Sequence, residues 1–305
     1  MSGKKNDNKI KIFRFDPHQR DKKGKLVHSL YNKIIVVIGP RGAGKSFLIK
    51  DLMTLIAKVP VAKIISGTEE SNHYYGQYNP DLFIEDEYSE EMLEDFVDRQ
   101  KEITVKVNED PKFKKVDNRA LLLLDDCLWD DSWTKHKLMR FVFMNGRWWG
   151  ITAIFGLQEP LGLPRGLRGN IDYVFICSNG NPRERKVIYE NYVSGFKNKK
   201  EFDKVMDNCT QDYNVLVIKK SSNSSKLRDT VFWYKAKERN NFRFGSPLVW
   251  KFHGEQYDNK YHIRKEALER KRRQEERERK KRKNKPRAFK PRFNSDPEVA
   301  RVDHA

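Results

Sequence analysis

One eight-residue segment constrains this chain more than any other, because it predicts both a local structure and a type of ligand. The segment is Gly39-Pro40-Arg41-Gly42-Ala43-Gly44-Lys45-Ser46, and it matches the pattern GxxxxGK[ST] at every fixed position. It lies between a β-branched run, Lys33–Ile38, and a helix-like segment, Lys45–Lys58, and this strand–loop–helix context separates a phosphate-binding loop from a merely structural glycine-rich turn. The segment therefore predicts a loop that holds the phosphates of a nucleotide.

The residue types in this loop suit phosphate chemistry. Glycines let backbone N–H groups converge on phosphate oxygens without interference from a Cβ atom. The positive end of the helix that begins near Lys45 points at the same anion. We expect Lys45 to place its charge between the terminal phosphates and Ser46 to bind Mg²⁺. The predicted cofactors are ATP and Mg²⁺, and the predicted nucleotide contacts are Gly39, Pro40, Arg41, Gly42, Ala43, Gly44, Lys45, Ser46 and Phe47.

A second segment supplies the carboxylates that such a site needs. Four leucines, Leu121–Leu124, predict a buried strand, and Asp125 and Asp126 follow at its end. This pattern resembles a Walker B segment, in which Asp125 would help to hold Mg²⁺ and Asp126 would act as the base or orient the attacking water. The alternative is a strand that simply ends in two solvated acids.

A third polar residue follows another apolar run. Ile151–Leu157 predicts a strand, and Gln158 stands at its end. A polar side chain at the tip of a strand beside the phosphate-binding loop can sense the γ-phosphate and align water. The alternative is a surface glutamine at a strand end, which is equally common.

Apolar strand-like runs alternate with helix-like segments along the middle of the chain. Nearly continuous apolar strands separated by helices are typical of a parallel sheet covered on both faces. We therefore predict an α/β fold, a three-layer αβα P-loop sandwich with a mixed, mainly parallel sheet. Beyond the runs already named, the predicted strands are Val61–Ser66, Asp172–Cys177, Tyr213–Ile218 and Thr230–Lys235, and the predicted helices are Ser89–Gln100, Lys135–Met144, Arg183–Tyr192 and Lys200–Asn208.

Charge is concentrated at the two ends of the chain. The 305 residues carry a net charge of +19, of which +6 lies in residues 1–25 and +11 in residues 264–292. We predict a basic N-terminal arm (1–25), in which Ile10 to Phe15 could add an edge strand, an ATPase domain (26–262) and a basic tail (263–305). Basic arms on a nearly neutral body favour a polyanionic partner, with nucleic acid first. A solvated tail or a nuclear-import signal is the alternative for the C-terminal segment.

Other classes of protein have little support. No apolar run approaches the roughly 18 residues that a membrane span needs, so we expect no stable membrane insertion. Residues 1–8 are polar and do not resemble a secretory signal. The three cysteines, Cys127, Cys177 and Cys209, lie far apart and predict neither a disulfide framework nor a zinc site.

These motifs resemble the additional-strand class of P-loop ATPases, and within it the FtsK–HerA superfamily. Three further segments, Asn145-Gly146-Arg147, Leu163–Phe175 and Val231–Ala236, resemble the genome-packaging ATPases of nucleocytoplasmic large DNA viruses. The resemblance covers about Asn32 to Trp250. It implies an ATP-driven motor that moves double-stranded DNA into a capsid. It also implies a homo-oligomeric ring, capsid or portal-type partners, and a location in the virion or in a viral factory in the host cytoplasm.

The resemblance also suggests an arginine that acts on a neighbouring subunit. By position this residue is Arg147, and Arg168 is the rival candidate. A cation that satisfies carbonyl groups at a helix C-terminus is the alternative role for Arg147. We expect the next two residues, Trp148 and Trp149, to pack in the core, because aromatic residues beside a core strand are usually buried.

Three other functions remain open on the sequence alone. The chain could be a different DNA-translocating or helicase-type ATPase of the same superfamily. It could be a small-molecule kinase, although no arginine-rich lid follows Asp126 and basic tails would have no use there. It could also be a nucleic-acid-binding module whose nucleotide site works only as a switch.

Overall fold

The computed structural model of the protein describes residues 10–127, 132–222, 224, 226–258, 271 and 274. Contacts divide the chain into two units, Met1–Gln256 and Tyr257–Ala305. The sheet and the helices around it belong to the first unit. Most of the basic tail predicted over residues 263–305 lies outside the described residues, so the predicted division into arm, ATPase domain and tail stays a prediction. Among the described residues, no helix combines the length and the apolar character needed to cross a bilayer.

A single sheet forms the middle layer of this unit. Its strands are β1 (Phe13–Arg14), β2 (Ile34–Ile38), β3 (Val61–Ser66), β4 (Ile84–Glu85), β5 (Ala120–Asp125), β6 (Ile151–Leu157), β7 (Tyr173–Ile176), β8 (Asn214–Lys219) and β9 (Val231–Lys235). Every residue of β2, β5, β6 and β7 is buried. Both faces of these strands are covered, which explains why their sequences are apolar almost without interruption.

The strand order is β1-β9-β8-β7-β2-β6-β5-β3-β4. Strand β8 runs antiparallel to β7 and β9, and the other pairings are parallel. This confirms the predicted mixed, mainly parallel α/β sheet. Because the central strands are parallel, the segments that follow β2, β5 and β6 meet at one edge of the sheet, here called the carboxyl edge. Their register brings Ile38 beside Leu157, and Asp125 beside Gly156.

Helices cover the sheet on both sides. They are α1 (Lys45–Leu55), α2 (Glu69–Asn72), α3 (Glu90–Glu109), α4 (Ser132–Lys135), α5 (Lys137–Asn145), α6 (Arg165–Arg168), α7 (Pro182–Tyr192), α8 (Lys199–Cys209), α9 (Leu227–Thr230) and α10 (Pro247–Gln256). Apolar residues of α3, α5, α7 and α8 belong to one core cluster, and those of α1 belong to the other. The two clusters correspond to the two faces of the sheet, as the predicted three-layer sandwich requires.

Three predicted helices differ from the structure by more than one residue. Helix α1 ends at Leu55 rather than at the predicted Lys58. Helix α3 begins after Ser89, whose hydroxyl accepts the Met92 N–H as an N-cap, but it continues to Glu109 rather than stopping at Gln100. The segment predicted as one helix over Lys135–Met144 is interrupted at His136, which has an extended backbone and bonds the Tyr88 hydroxyl at 3.0 Å.

The predicted edge strand near the N-terminus is present. Strand β1 pairs in parallel with β9, and Phe15 follows it into the core. The Phe15 ring lies edge-on to Phe175 and Tyr234, at centroid distances of 5.7 and 5.9 Å. Part of the basic arm is therefore fixed to the sheet by aromatic packing.

Candidate nucleotide-binding site

The phosphate-binding loop connects β2 to α1 at the carboxyl edge, and its glycines have two different tasks. Gly42 and Gly44 adopt left-handed conformations, with φ of 78° and 84°, which side chains other than glycine rarely adopt. Gly39 has no such conformation, but a Cβ atom on it would lie 2.7 Å from the Cβ of Cys177 on the segment after β7. The first glycine therefore allows close packing, and the later two shape the loop.

The two functional side chains of the loop lie at the start of α1. Lys45 is buried, and its Nζ donates to the Pro40 carbonyl oxygen at 3.3 Å, so the ammonium group lies over the loop. The Ser46 hydroxyl donates to Asp125 Oδ2 at 3.0 Å. This contact joins the two motifs that are separated by 79 residues in sequence. Phe47 is exposed beside the loop.

Asp125 ends β5 and is 2% exposed. Its Oδ2 accepts hydrogen bonds from Ser46 and from the Tyr75 hydroxyl, the latter at 2.6 Å. Its Oδ1 is buried and has no hydrogen-bond partner among the described residues. Burial raises the pKa of the Asp125 carboxyl, the charge of Asp126 raises it further, and the two hydroxyl donors oppose both effects. Such a carboxylate is stabilised by a nearby cation.

The oxygens of Asp125 and Ser46 match the preference of Mg²⁺. This ion favours carboxylate and hydroxyl oxygens and is usually held by one or two carboxylates together with phosphate oxygens and water. The unpartnered Oδ1 of Asp125 is a ligand of this kind beside the Ser46 hydroxyl. The residues present therefore fit a magnesium ion next to the phosphate-binding loop.

Asp126 and Gln158 lie together on neighbouring strand ends. Gln158 Nε2 donates to Asp126 Oδ1 at 2.6 Å, and Asp126 has a left-handed backbone with φ of 54°. An aspartate tolerates this conformation better than most residues, and such strain is often found at functional sites. The turn directs the two acids differently: Asp125 towards Ser46, and Asp126 towards the strand that carries Gln158. This arrangement suits separate roles for the two carboxylates.

Two residues beside Asp125, Tyr75 and Gly156, are not marked by any pattern in the sequence. Tyr75 lies in the loop after α2 and is 1% exposed, and nothing in the sequence around it marks a residue of the site. Gly156 is paired with Asp125 across β5 and β6, and a Cβ atom on it would lie well inside 3.0 Å of Asp125 Oδ1. Glu69, another acid near the site, uses its carboxylate to accept the N–H groups of Tyr75 and Gly76 at 2.9 and 2.7 Å. Its role here is to hold the Tyr75 loop.

Arg147 lies far from the site within its own subunit. It belongs to a short 3₁₀ turn, Gly146–Trp149, that precedes β6, whereas Gln158 follows β6. The seven residues of β6 separate the two by about 20 Å. The Arg147 side chain is exposed and has no hydrogen bond or ion pair among the described residues.

The prediction that both tryptophans pack in the core is wrong for one of them. Trp148 is 76% exposed, whereas Trp149 packs against the core and lies 6.3 Å from the Phe141 ring. In a 3₁₀ turn, consecutive side chains point in different directions, so two adjacent residues cannot both face the sheet. Proximity to a core strand was therefore a poor guide to burial here.

Arg168 is engaged within its own subunit. It ends the short helix α6, and its guanidinium donates to the Leu163 carbonyl oxygen at 2.9 Å and lies 5.9 Å from the centre of the Tyr192 ring. These contacts give Arg168 a structural role that Arg147 does not have. The structure thus places Lys45, Ser46, Asp125, Asp126 and Gln158 at one edge and neither arginine among them.

Together, the loop, the two acids at the end of a buried strand and the glutamine on the adjacent strand define a P-loop ATPase with additional strands in its sheet. A model of the family described as Poxvirus A32 protein matches residues 19–241. The chain therefore belongs to the poxvirus A32 protein family, and the resemblance to viral genome-packaging ATPases is confirmed.

Known proteins support this assignment. An uncharacterized protein of Acanthamoeba polyphaga mimivirus is 33% identical over 258 residues, covering 84% of this chain and 87% of that protein. An uncharacterized protein of invertebrate iridescent virus 6 is 36% identical over 231 residues, covering 74% of this chain and 87% of that protein. Among solved structures, the pCW3 conjugation coupling protein TcpA with ATPγS has a TM-score of 0.52 at 13% identity, covering 81% of this chain and 75% of that chain. The last similarity concerns the fold alone.

Proposed function

We propose that this chain is the ATP-driven motor that moves double-stranded viral DNA into a capsid. The observation that carries the proposal is the convergence of Ser46, Asp125, Asp126 and Gln158 beside the phosphate-binding loop, in a chain of the poxvirus A32 family. The geometry suits phosphoryl transfer from ATP to water, in which positioning and charge neutralisation supply most of the catalysis.

Each residue has a task in this mechanism. The loop N–H groups and the Lys45 ammonium would hold the phosphates, and Ser46 and Asp125 would hold Mg²⁺. Held there, the ion would supply positive charge that offsets the negative charge developing on the phosphates. Asp126 accepts a proton from the attacking water or orients that water. Gln158 keeps the Asp126 carboxylate in place through its hydrogen bond and presents its amide to the same region.

A ring explains the position of Arg147. Its own nucleotide site is about 20 Å away at the opposite edge of the sheet, so the arginine can reach only the site of another subunit. An arginine supplied in this way stabilises the charge of the transition state. We propose a homo-oligomeric ring in which the amino edge of one subunit meets the carboxyl edge of the next.

The partners follow from the same function. Duplex DNA would be bound mainly through its phosphates by basic segments, including the tail over residues 263–305, and capsid or portal-type components would anchor the ring. The place of action would be the virion or a viral factory in the host cytoplasm. A cellular DNA translocase or a helicase of the same superfamily would use the same site.

One experiment distinguishes the candidate functions. The ATPase rate is measured with and without duplex DNA, alongside the mass of the oligomer, and Asp126→Asn serves as the inactive control. A motor shows turnover that DNA stimulates and a mass of several subunits. Turnover that DNA leaves unchanged would favour a small-molecule kinase, and no turnover with intact nucleotide binding would favour a switch.

Mixed rings test the contribution of Arg147 in trans. Arg147→Ala and Lys45→Ala subunits should each be inactive alone, whereas a mixed ring brings some intact loops next to an intact arginine and should recover activity. Recovery with Arg168→Ala but not with Arg147→Ala, in rings shown to be mixed, would assign the role to Arg168.

A further inference from the structure

An open cavity lies beside the phosphate-binding loop, on the side away from Asp125. Its volume is about 620 Å³, within the range of small-molecule sites. The loop forms one wall, and the segments after β7 and before β8 form the other. The lining residues are Pro40, Arg41, Gly42, Ala43, Ser178, Thr210, Gln211, Asp212 and Tyr213. The cavity is therefore continuous with the place where the phosphates would bind, and no role has yet been assigned to its outer wall.

The outer wall presents an aromatic ring in an unusual backbone conformation. Tyr213 is 74% exposed, and Asp212 and Tyr213 have left-handed φ values of 52° and 58°. Tyrosine rarely adopts this conformation, and two such residues in succession persist only where neighbouring bonds hold them. Asn214 supplies those bonds, because its backbone N–H and its Nδ2 both donate to the Gln211 carbonyl oxygen, at 2.9 and 2.6 Å. The turn thus holds a large apolar ring in solvent at the cavity wall.

The ring is also close to the loop itself. Tyr213 Cδ1 lies 3.5 Å from the position that a Cβ atom on Gly44 would occupy. Gly44 directly precedes Lys45, so the ring stands beside the residue that introduces the phosphate-binding helix. The ring therefore lies in the same cavity as the loop that would hold the phosphates.

We propose that this cavity is the nucleoside subsite and that the base of ATP stacks on the ring of Tyr213. This inference rests on the proposed function. An exposed ring face offers a base a stacking partner, and the exposed side chains of Ser178, Gln211 and Asp212 offer polar partners to the ribose. Stacking accepts every base, since each has a π-face. The site should consequently bind ATP and GTP with similar affinity.

The test compares ATP with inorganic triphosphate, which lacks the nucleoside. In competition against a fluorescent ATP analogue, Tyr213→Ala should weaken ATP binding by roughly 5- to 150-fold, the range expected for loss of one stacked base, and should leave triphosphate binding within about twofold. Tyr213→Phe keeps the ring and should bind ATP like the unmodified protein. Phe13→Ala, which removes an exposed ring on β1, is the matched control and should change neither affinity.

One further variant separates the loss of the ring from a change in the turn. Tyr213→Asn accepts a left-handed backbone, so a loss of ATP binding in this variant cannot be attributed to a changed turn. Unchanged ATP binding in Tyr213→Ala, or an equal loss of ATP and triphosphate binding, would overturn the subsite while leaving the phosphate-binding loop in place. If the unmodified protein bound neither ligand, the proposed function itself would fail.

Discussion

Gly156→Ala should damage the nucleotide site although it adds only one methyl group to a buried strand. The added Cβ would lie well inside 3.0 Å of Asp125 Oδ1, and 3.2 Å from the Cδ1 of Ile49 in α1. Both neighbours are buried, and β6 is held between β5, which pairs with it up to Gly156, and β2, which pairs with it through Leu157. The carboxylate of Asp125 must therefore move by about 1 Å to reach an ordinary contact distance.

The size of the effect follows from what holds Asp125. Its Oδ2 accepts the Tyr75 hydroxyl at 2.6 Å and the Ser46 hydroxyl at 3.0 Å, and hydrogen bonds to a charged group are worth about 1.5–3 kcal/mol each. Weakening both hydrogen bonds should lower the free energy of unfolding by about 3 kcal/mol. For a domain of this size, that corresponds to a fall in melting temperature of roughly 6–12 °C. Misplacement of a catalytic group by about 1 Å typically reduces the rate about 100-fold.

The measurements are the melting temperature and the ATPase rate, with Gly166→Ala as the matched control. No atom lies within 4 Å of a Cβ added at Gly166, so this variant should match the unmodified protein in both. An unchanged melting temperature and rate in Gly156→Ala would refute the close packing of Asp125 against β6. A lower melting temperature with a normal ATPase rate would agree with the close packing but would contradict a catalytic role for Asp125.

Three further predictions concern other residues. Lys45→Ala should abolish ATP hydrolysis and leave the melting temperature unchanged. Normal turnover in this variant would contradict the assignment of residues 39–46 as the phosphate-binding loop. Asp125→Asn should weaken Mg²⁺-dependent ATP binding, whereas Asp126→Asn should bind ATP normally and stop hydrolysis; equal effects in a binding assay and a turnover assay would contradict the separate roles. Burial and the charge of Lys219 lower the pKa of His28 from 6.5 to about 4. Because the folded state resists protonation of His28, the free energy of unfolding should fall as the pH drops from 6.5 to about 4, and denaturant unfolding should show a smaller loss in His28→Phe.

The parts of the fold that depend on local pattern could be predicted from the sequence. The strands over Ala120–Asp125 and Ile151–Leu157 have the predicted bounds, because a fully buried strand must be apolar along its length and polar where it leaves the sheet. For the same reason, the sequence predicts that Asp125, Asp126 and Gln158 follow the ends of buried strands. Helix ends were less predictable: α3 continues nine residues beyond Gln100, where its sequence contains no residue that forces a stop.

Contacts between distant segments could not be predicted. Tyr75 is 50 residues from Asp125, and its hydroxyl reaches the carboxylate only because Glu69 binds the N–H groups of Tyr75 and Gly76 and thereby fixes the loop. A tyrosine in a polar segment has no pattern that reveals such a role. The same holds for Gly156, since only the register of β5 and β6 shows that its missing side chain makes room for Asp125.

The structure favours one of the two roles that the sequence allows for Arg147. From the sequence, the arginine is either a helix-end cation or a residue that acts on another subunit. In the structure it satisfies no carbonyl group among the described residues, and it lies at the opposite end of β6 from Gln158. Arg168, in contrast, already bonds the Leu163 carbonyl and contacts Tyr192. An exposed cation at the amino edge and a nucleotide site at the carboxyl edge can meet only when subunits associate head to tail, which closes into a ring when the rotation between neighbours allows it.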